Sequence, residues 1–245
     1  MSRPFSLYRD SFDGNTLSYH RFGERGGRLD GVIGPAMAIG AGAPVPTDRG
    51  YLLAAGDLLQ ATGIVAPART QGTIECWFRY DGAEGDVKDP VTYLLASANQ
   101  LFIRLWRGVG TGSINAVLYV GNVGVGYAAW SGAAARAMLD SPDLIHVAAT
   151  FDSDAGYCRL FVNGVQRAED LVGILPLPEG TYRVRILTAV GFLGLVDEVR
   201  ASAISRYVGG ANGTRYFWPA RFQDGRRAVV RGPEMRAGLT AGVIQ

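Results

Sequence analysis

Histidine, cysteine and lysine are scarce in this 245-residue chain: two histidines, two cysteines and, at position 88, a lone lysine. Cys76 and Cys158 are too few for a disulfide scaffold or a cysteine-based zinc site. Both fall in apolar, strand-like runs, which suits buried free thiols. His20 and His146 lack the spacing of a zinc-binding histidine motif. The formal net charge is only +2, so the charge balance calls for neither nucleic acid nor an anionic membrane as partner. No apolar window reaches the roughly 18 residues that a membrane helix needs. The opening Met1–Gly14 stretch has no apolar signal core, so no secretion leader is expected. There is no phosphate-binding loop. Gly121-Asn122-Val123-Gly124-Val125-Gly126 imitates a dinucleotide motif, but no strand-to-helix switch follows it, and it reads as a turn or loop.

Glycine is abundant. Its 34 copies are about twice the usual ~7% share, and they follow no three-residue period. Between them the pattern has period two. In Thr73–Tyr80 one face carries Ile74, Cys76, Phe78 and Tyr80, and the other Glu75, Trp77 and Arg79, the mark of a strand with one dry face. Further strands are expected at 93–97, 101–106, 114–120, 145–151, 157–162, 165–168, 183–187 and 194–200. Asn163-Gly164 is a type I′ hairpin signal. Ser131–Leu139 is alanine-rich and has room for one or two helical turns. No long amphipathic helix is visible, which argues against α/β folds. Many short strands with glycine or Asx turns imply an all-β sandwich or barrel.

Four segments in order carry a resemblance. Gly34–Ile39 with Tyr51-Leu52 comes first, then Thr73–Phe78. Asp143–Asp152 with Leu160–Gly164 follows, and Gly194–Arg200 closes the series. Over roughly residues 10 to 207 the chain resembles the LamG-like group of the concanavalin A-like lectin/glucanase superfamily, although Leu144 stands where that pattern has tryptophan. The resemblance implies a two-sheet antiparallel jelly-roll sandwich, here residues 1–207, followed by an irregular, arginine-rich extension over 208–245. The ending Arg206-Tyr207, Phe217-Trp218-Pro219 and Phe222-Gln223-Asp224 is similar to LamG-like modules of tailed-bacteriophage structural proteins. It implies a multi-copy virion component, a capsid decoration or a tail part, assembled in the host cytoplasm.

Glucanases of this fold carry paired carboxylates on one strand face, about 5–5.5 Å apart for retention. No such pair is spelled here: Asp197 and Glu198 are adjacent, and Trp77 stands two residues after Glu75. We therefore expect a protein that is not an enzyme. His20 or His146 could enter a Ser-His-Asp triad, but His146 occupies a family strand position and reads as structural. No cofactor is required. A structural Ca²⁺ is suggested by the resemblance, with Asp197 and Asp13 as the matching positions; a turn cap or an arginine pair is the plain alternative for Asp197. For a host glycan, Tyr127 and Trp130, placed in a glycine- and alanine-rich loop, could stack on sugar rings, with Asn99, Gln100 and Asn122 as polar partners. The plain alternative is that Trp130 anchors its loop onto the sandwich. Arg215, Arg221, Arg226, Arg227, Arg231 and Arg236 would meet neighbouring virion proteins. The leading expectation is a non-catalytic adhesion protein; a carbohydrate-binding lectin is the alternative.

Overall fold

The computed structural model describes residues 14–22, 29, 33–82, 85, 87–95, 99–121, 123–171, 173–187, 193–207 and 209–215, together with two short paired stretches at 222–223 and 226–227. The strands are β1 (Thr16–His20), β2 (Met37–Ala41), β3 (Val45–Thr47), β4 (Gly50–Leu53), β5 (Leu58–Ala66), β6 (Gln71–Tyr80), β7 (Val87–Leu95), β8 (Asn99–Gly108), β9 (Thr111–Val120) and β10 (Val123–Gly132). After the helix α1 (Ala133–Leu139) come β11 (Ile145–Asp152), β12 (Tyr157–Val162), β13 (Val165–Asp170), β14 (Gly180–Leu187) and β15 (Gly194–Ser202), then β16 (Phe222–Gln223) and β17 (Arg226–Arg227). The first sheet runs β13-β12-β11-β6-β15-β4-β3, with β1 also on β15. The second runs β10-β9-β8-β7-β14-β5-β2. Every pairing is antiparallel. This is one of the two all-β forms the alternating pattern allowed, the sandwich, and it agrees with the jelly roll that the resemblance implied.

Because side chains alternate across a strand, every second residue enters the layer between the sheets. Ile74, Cys76 and Phe78 of β6 meet Val147, Ala149 and Phe151 of β11 there, and β8, β9 and β14 close the layer with Leu101, Ile103, Leu105, Ile114, Ala116, Leu118, Tyr182, Val184 and Ile186. Cys76 and Cys158 are buried free thiols; burial raises both, Cys158 to about 12. The Asn163-Gly164 turn has both φ values positive, at 50° and 77°, as a type I′ hairpin requires.

The second sheet corrects the sequence reading at two places. The segment holding Tyr127 and Trp130 is not a loop. It is the edge strand β10, paired along β9 from Val123 to Gly132. Its glycines and alanines are poor strand formers. At Gly126, however, an added Cβ would lie 2.9 Å from Cys158 Cβ, so close approach to β12 demands glycine there. The strand β5 was not expected. Leu59 and Ala61 face the core, then Ile64 and Ala66, and the register shift there, with Gly63 at φ 81°, flips the phase and hides the alternation. The alanine-rich stretch does form a helix, α1, of seven residues.

Candidate functional site

The two outer faces of the sandwich differ. On the first sheet, alternation turns Glu75 outward, yet it is only 3% exposed. His146 Nε2 lies 2.9 Å from Glu75 Oε2, Arg200 Nε donates to Oε1 at 2.5 Å, and the Tyr207 hydroxyl donates to Oε2. Burial alone would raise the Glu75 carboxyl, but the Arg200 charge and the hydrogen bonds from His146 and Arg200 hold it well below the carboxylate range. Burial, then the Glu75 charge, pushes the Tyr207 phenol far up. Beside them Thr73, Thr150, Ser205 and Tyr157 share a chain of hydroxyl hydrogen bonds.

The chain after β15 lies over this face. Arg206 donates to Ser202 and Thr16, and the Tyr207 ring packs against Phe161 and His146. Gln166 exchanges backbone hydrogen bonds with Gly213 and Thr214, and its side chain receives Gly210 N–H. The protein thus covers its own first sheet with polar groups that satisfy one another.

Inside that sheet, on the side of β15 away from β6, β15 pairs with β4 through Val196 and with β1 from Val199 onward. Asp197 sits at the change of neighbour, where the register shifts and Glu198 takes φ 49°. Asp197 Oδ1 accepts the Phe22 and Glu198 N–H groups, each at 2.8 Å, which would otherwise lack ladder partners. This is the meeting of first and closing strands at which calcium was expected. Asp13 lies outside the described residues. Among the described residues no three histidine, cysteine or acidic side chains gather as a metal cage. The other histidine, His20, bonds Ser18 Oγ at 2.7 Å. Both are wholly buried, and burial lowers His20 to about 4.

The second sheet turns Gln100, Phe102, Arg104 and Trp106 of β8 outward, with Ser113, Asn115, Val117 and Tyr119 of β9, and Tyr127, Ala129 and Ser131 of β10; the register sets them in rows across the three strands. Phe102 and Tyr119 stack with centroids 5.8 Å apart, and the Arg104 guanidinium lies 4.9 Å over the Phe102 ring. Asn115 is 2% exposed. Its Nδ2 donates to Ser113 Oγ at 3.3 Å, while its Oδ1 is buried with no hydrogen-bond partner. A hidden carbonyl left unsatisfied costs roughly 1–3 kcal/mol, so this oxygen awaits a donor.

The structure disperses the glycan residues named from sequence. Tyr127 is 54% exposed on this outer face. Trp130 points the other way, packs against the core and carries the Arg167 guanidinium 4.5 Å over its ring. Gln100 is on the outer face beside Tyr119. Asn99 Oδ1 holds Gly121 N–H at 2.9 Å, a turn anchor, and Asn122 lies outside the described residues. Arg215 donates to the Asn163 carbonyl. Of Arg226 and Arg227 only the backbone pairing is described, and Arg221, Arg231 and Arg236 lie outside. Asn115 escaped the sequence reading because one asparagine inside an apolar strand carries no motif.

The profile of the concanavalin A-like lectin/glucanases superfamily matches residues 53–223. No curated protein matches the chain. Among solved structures, domain 4 of AbnA, a GH43 extracellular arabinanase from Geobacillus stearothermophilus in complex with arabinotriose, aligns at 15% identity with a TM-score of 0.55, over 78% of this chain and 93% of that domain. The binding domain of botulinum neurotoxin serotype D aligns at 11% identity and a TM-score of 0.58, over 78% of this chain but only 48% of the toxin domain. At these identities the likeness is one of fold.

Proposed function

The chain belongs to the concanavalin A-like lectin/glucanases superfamily, and from that premise we propose that it is a non-catalytic carbohydrate-binding module whose ligand lies across the outer face of the second sheet. The carrying observation is the buried, unpartnered Asn115 Oδ1 on a face where Tyr119 stacks on the buried Phe102 ring and Tyr127 is exposed. A sugar hydroxyl supplies the missing donor, and ring faces take the apolar face of a pyranose. The first sheet supports the choice of side, since its own chain covers it. Among the side chains described on β5, β8, β9, β10 and β14, none facing outward from the second sheet is a carboxylate, whereas hydrolysis calls for two. Domain 4 of the arabinanase, similar in fold, is solved with a bound trisaccharide.

Isothermal titration of the full chain against a panel of neutral and acidic oligosaccharides tests this. Asn115→Ala and Tyr127→Ala each weaken binding about ten-fold, the loss of one hydrogen bond or one stacking ring. Trp130→Ala lowers the melting temperature instead. Binding by no member of the panel, release of reducing ends, or loss of binding in Trp130→Ala with an unchanged melt would overturn the reading.

A second reading joins the first: the module serves as the adhesion part of a tailed-phage particle, present in many copies. The ending Arg206-Tyr207 through Asp224 supports it by resemblance to phage modules. Mass spectrometry of purified virions tests it, and absence of the chain from particles would sink it.

A further inference from the structure

The strand β14 places Arg183 and Arg185 two residues apart, on the same outward face of the second sheet. Such neighbours stand roughly 7 Å apart along a strand. Both side chains are half-buried, and the Arg185 Nε is hidden from solvent without an acceptor. Burial and the Arg183 charge lower the Arg185 pKa. Arginine does not shed its proton at any physiological pH, so an incoming anion is what relieves the pair. Arg104 adds a third guanidinium on this face, over Phe102. Among the side chains described on β5, β8, β9, β10 and β14, no carboxylate faces outward beside Arg183 and Arg185.

The register joins these charges to the sugar-suited side chains. Arg185 is opposite Thr92, Thr92 opposite Phe102, Phe102 opposite Val117 and Val117 opposite Tyr127. The row crosses four strand spacings, about 19 Å, with Phe102 and Val117 buried between Arg185 and the exposed Tyr127, so a ligand that meets both ends is an oligosaccharide and not a single sugar. Arg183 shares the next row with Gln100 and Tyr119.

We propose that this face selects an acidic glycan, with Arg183 and Arg185 pairing to a sugar carboxylate while Asn115, Tyr119 and Tyr127 hold neighbouring units. The inference deepens the carbohydrate-binding reading and rests on it. A planar guanidinium matches a carboxylate in a forked pair, and the amides and rings of the remaining face suit hydroxylated ring ligands more than an acidic peptide.

The test is titration of the full chain with tetragalacturonate beside its fully methyl-esterified form, and with sialyllactose beside lactose. The first pair probes an internal uronate and the second a terminal sialic acid; tighter binding of the acid in either pair supports the proposal. The acid form is expected to bind at least about ten-fold tighter than its neutral twin, and to weaken as salt rises. Arg183→Gln and Arg185→Gln should each remove most of that difference. Neither variant should melt below the parent, because each removes like-charge repulsion. Equal affinity for acid and neutral forms, or an acid preference that survives the double variant, overturns the inference and leaves the carbohydrate reading standing. Binding of neither form removes both. Polyglutamate that competes as well as tetragalacturonate at equal charge overturns the glycan assignment in favour of an acidic protein.

Discussion

Acidification should loosen this fold before any carboxylate is neutralised, and His20 is the reason. Its ring is wholly buried, bonded to Ser18 Oγ and stacked on Phe22 at 6.3 Å. Burial lowers its pKa from 6.5 to about 4. In the unfolded chain the ring takes a proton near 6.5; in the folded chain it resists until about 4. Between those values the unfolded state binds more protons, so stability rises with pH there. The contribution is complete above pH 6.5 and is lost progressively as the pH falls towards 4. Each pKa unit is worth ~1.4 kcal/mol, so the full loss is about 3 kcal/mol. For a chain of this size that is roughly 6–12 °C in melting temperature. Melts followed by circular dichroism at half-unit steps from pH 7 to 4 measure it. His20→Gln keeps a hydrogen-bonding group for Ser18 and carries no titrating ring, so its melting temperature should stay level from pH 7 to about 5, above the range in which Glu75 titrates. A level profile in the parent protein, or an undiminished slope in His20→Gln, would show that the buried ring does not set acid stability.

Three further outcomes follow from the buried charges. Glu75→Gln strands Arg200 beneath the covering chain and should cost roughly 3–5 kcal/mol, read by urea unfolding; replacing Arg200 with Met in the same background should recover part of it, and no recovery would deny the pairing. The parent should also lose stability below about pH 4.5 as Glu75, held low in the fold, is forced to protonate. Thirdly, a structural Ca²⁺ at Asp197 predicts a lower melting temperature in EDTA and no such difference in Asp197→Ala; a melt unmoved by EDTA discards the ion.

The elements read most easily were those whose alternation is unbroken. Thr73–Tyr80 and Ile145–Phe151 became β6 and β11, paired residue for residue from Gln71 with Asp152 to Phe78 with Ile145. The strand β5 was lost to the phase flip at Gly63, and β10 to its glycines and alanines. Its pairing along β9 outweighs their weak preference for extended backbone. For the site, residue type alone did not separate the two candidate rings. Trp130 and Tyr127 looked equivalent as sugar platforms, yet three positions apart on a strand they face opposite ways.

Period-two patterning was enough to declare an all-β sandwich or barrel, since an apolar residue at every second position has nowhere dry to go except between packed sheets or inside a closed one. It could not say which outer face the chain would cover. That depends on Arg206, Tyr207 and Gly210 finding Thr16, Glu75 and Gln166, contacts across 190, 132 and 44 positions of sequence, and no local pattern records a partner so far away. Nor could it gather Arg183, Arg185, Phe102 and Tyr127 into neighbouring places, because strand order in a jelly roll is settled by how the sheets close and not by order along the chain.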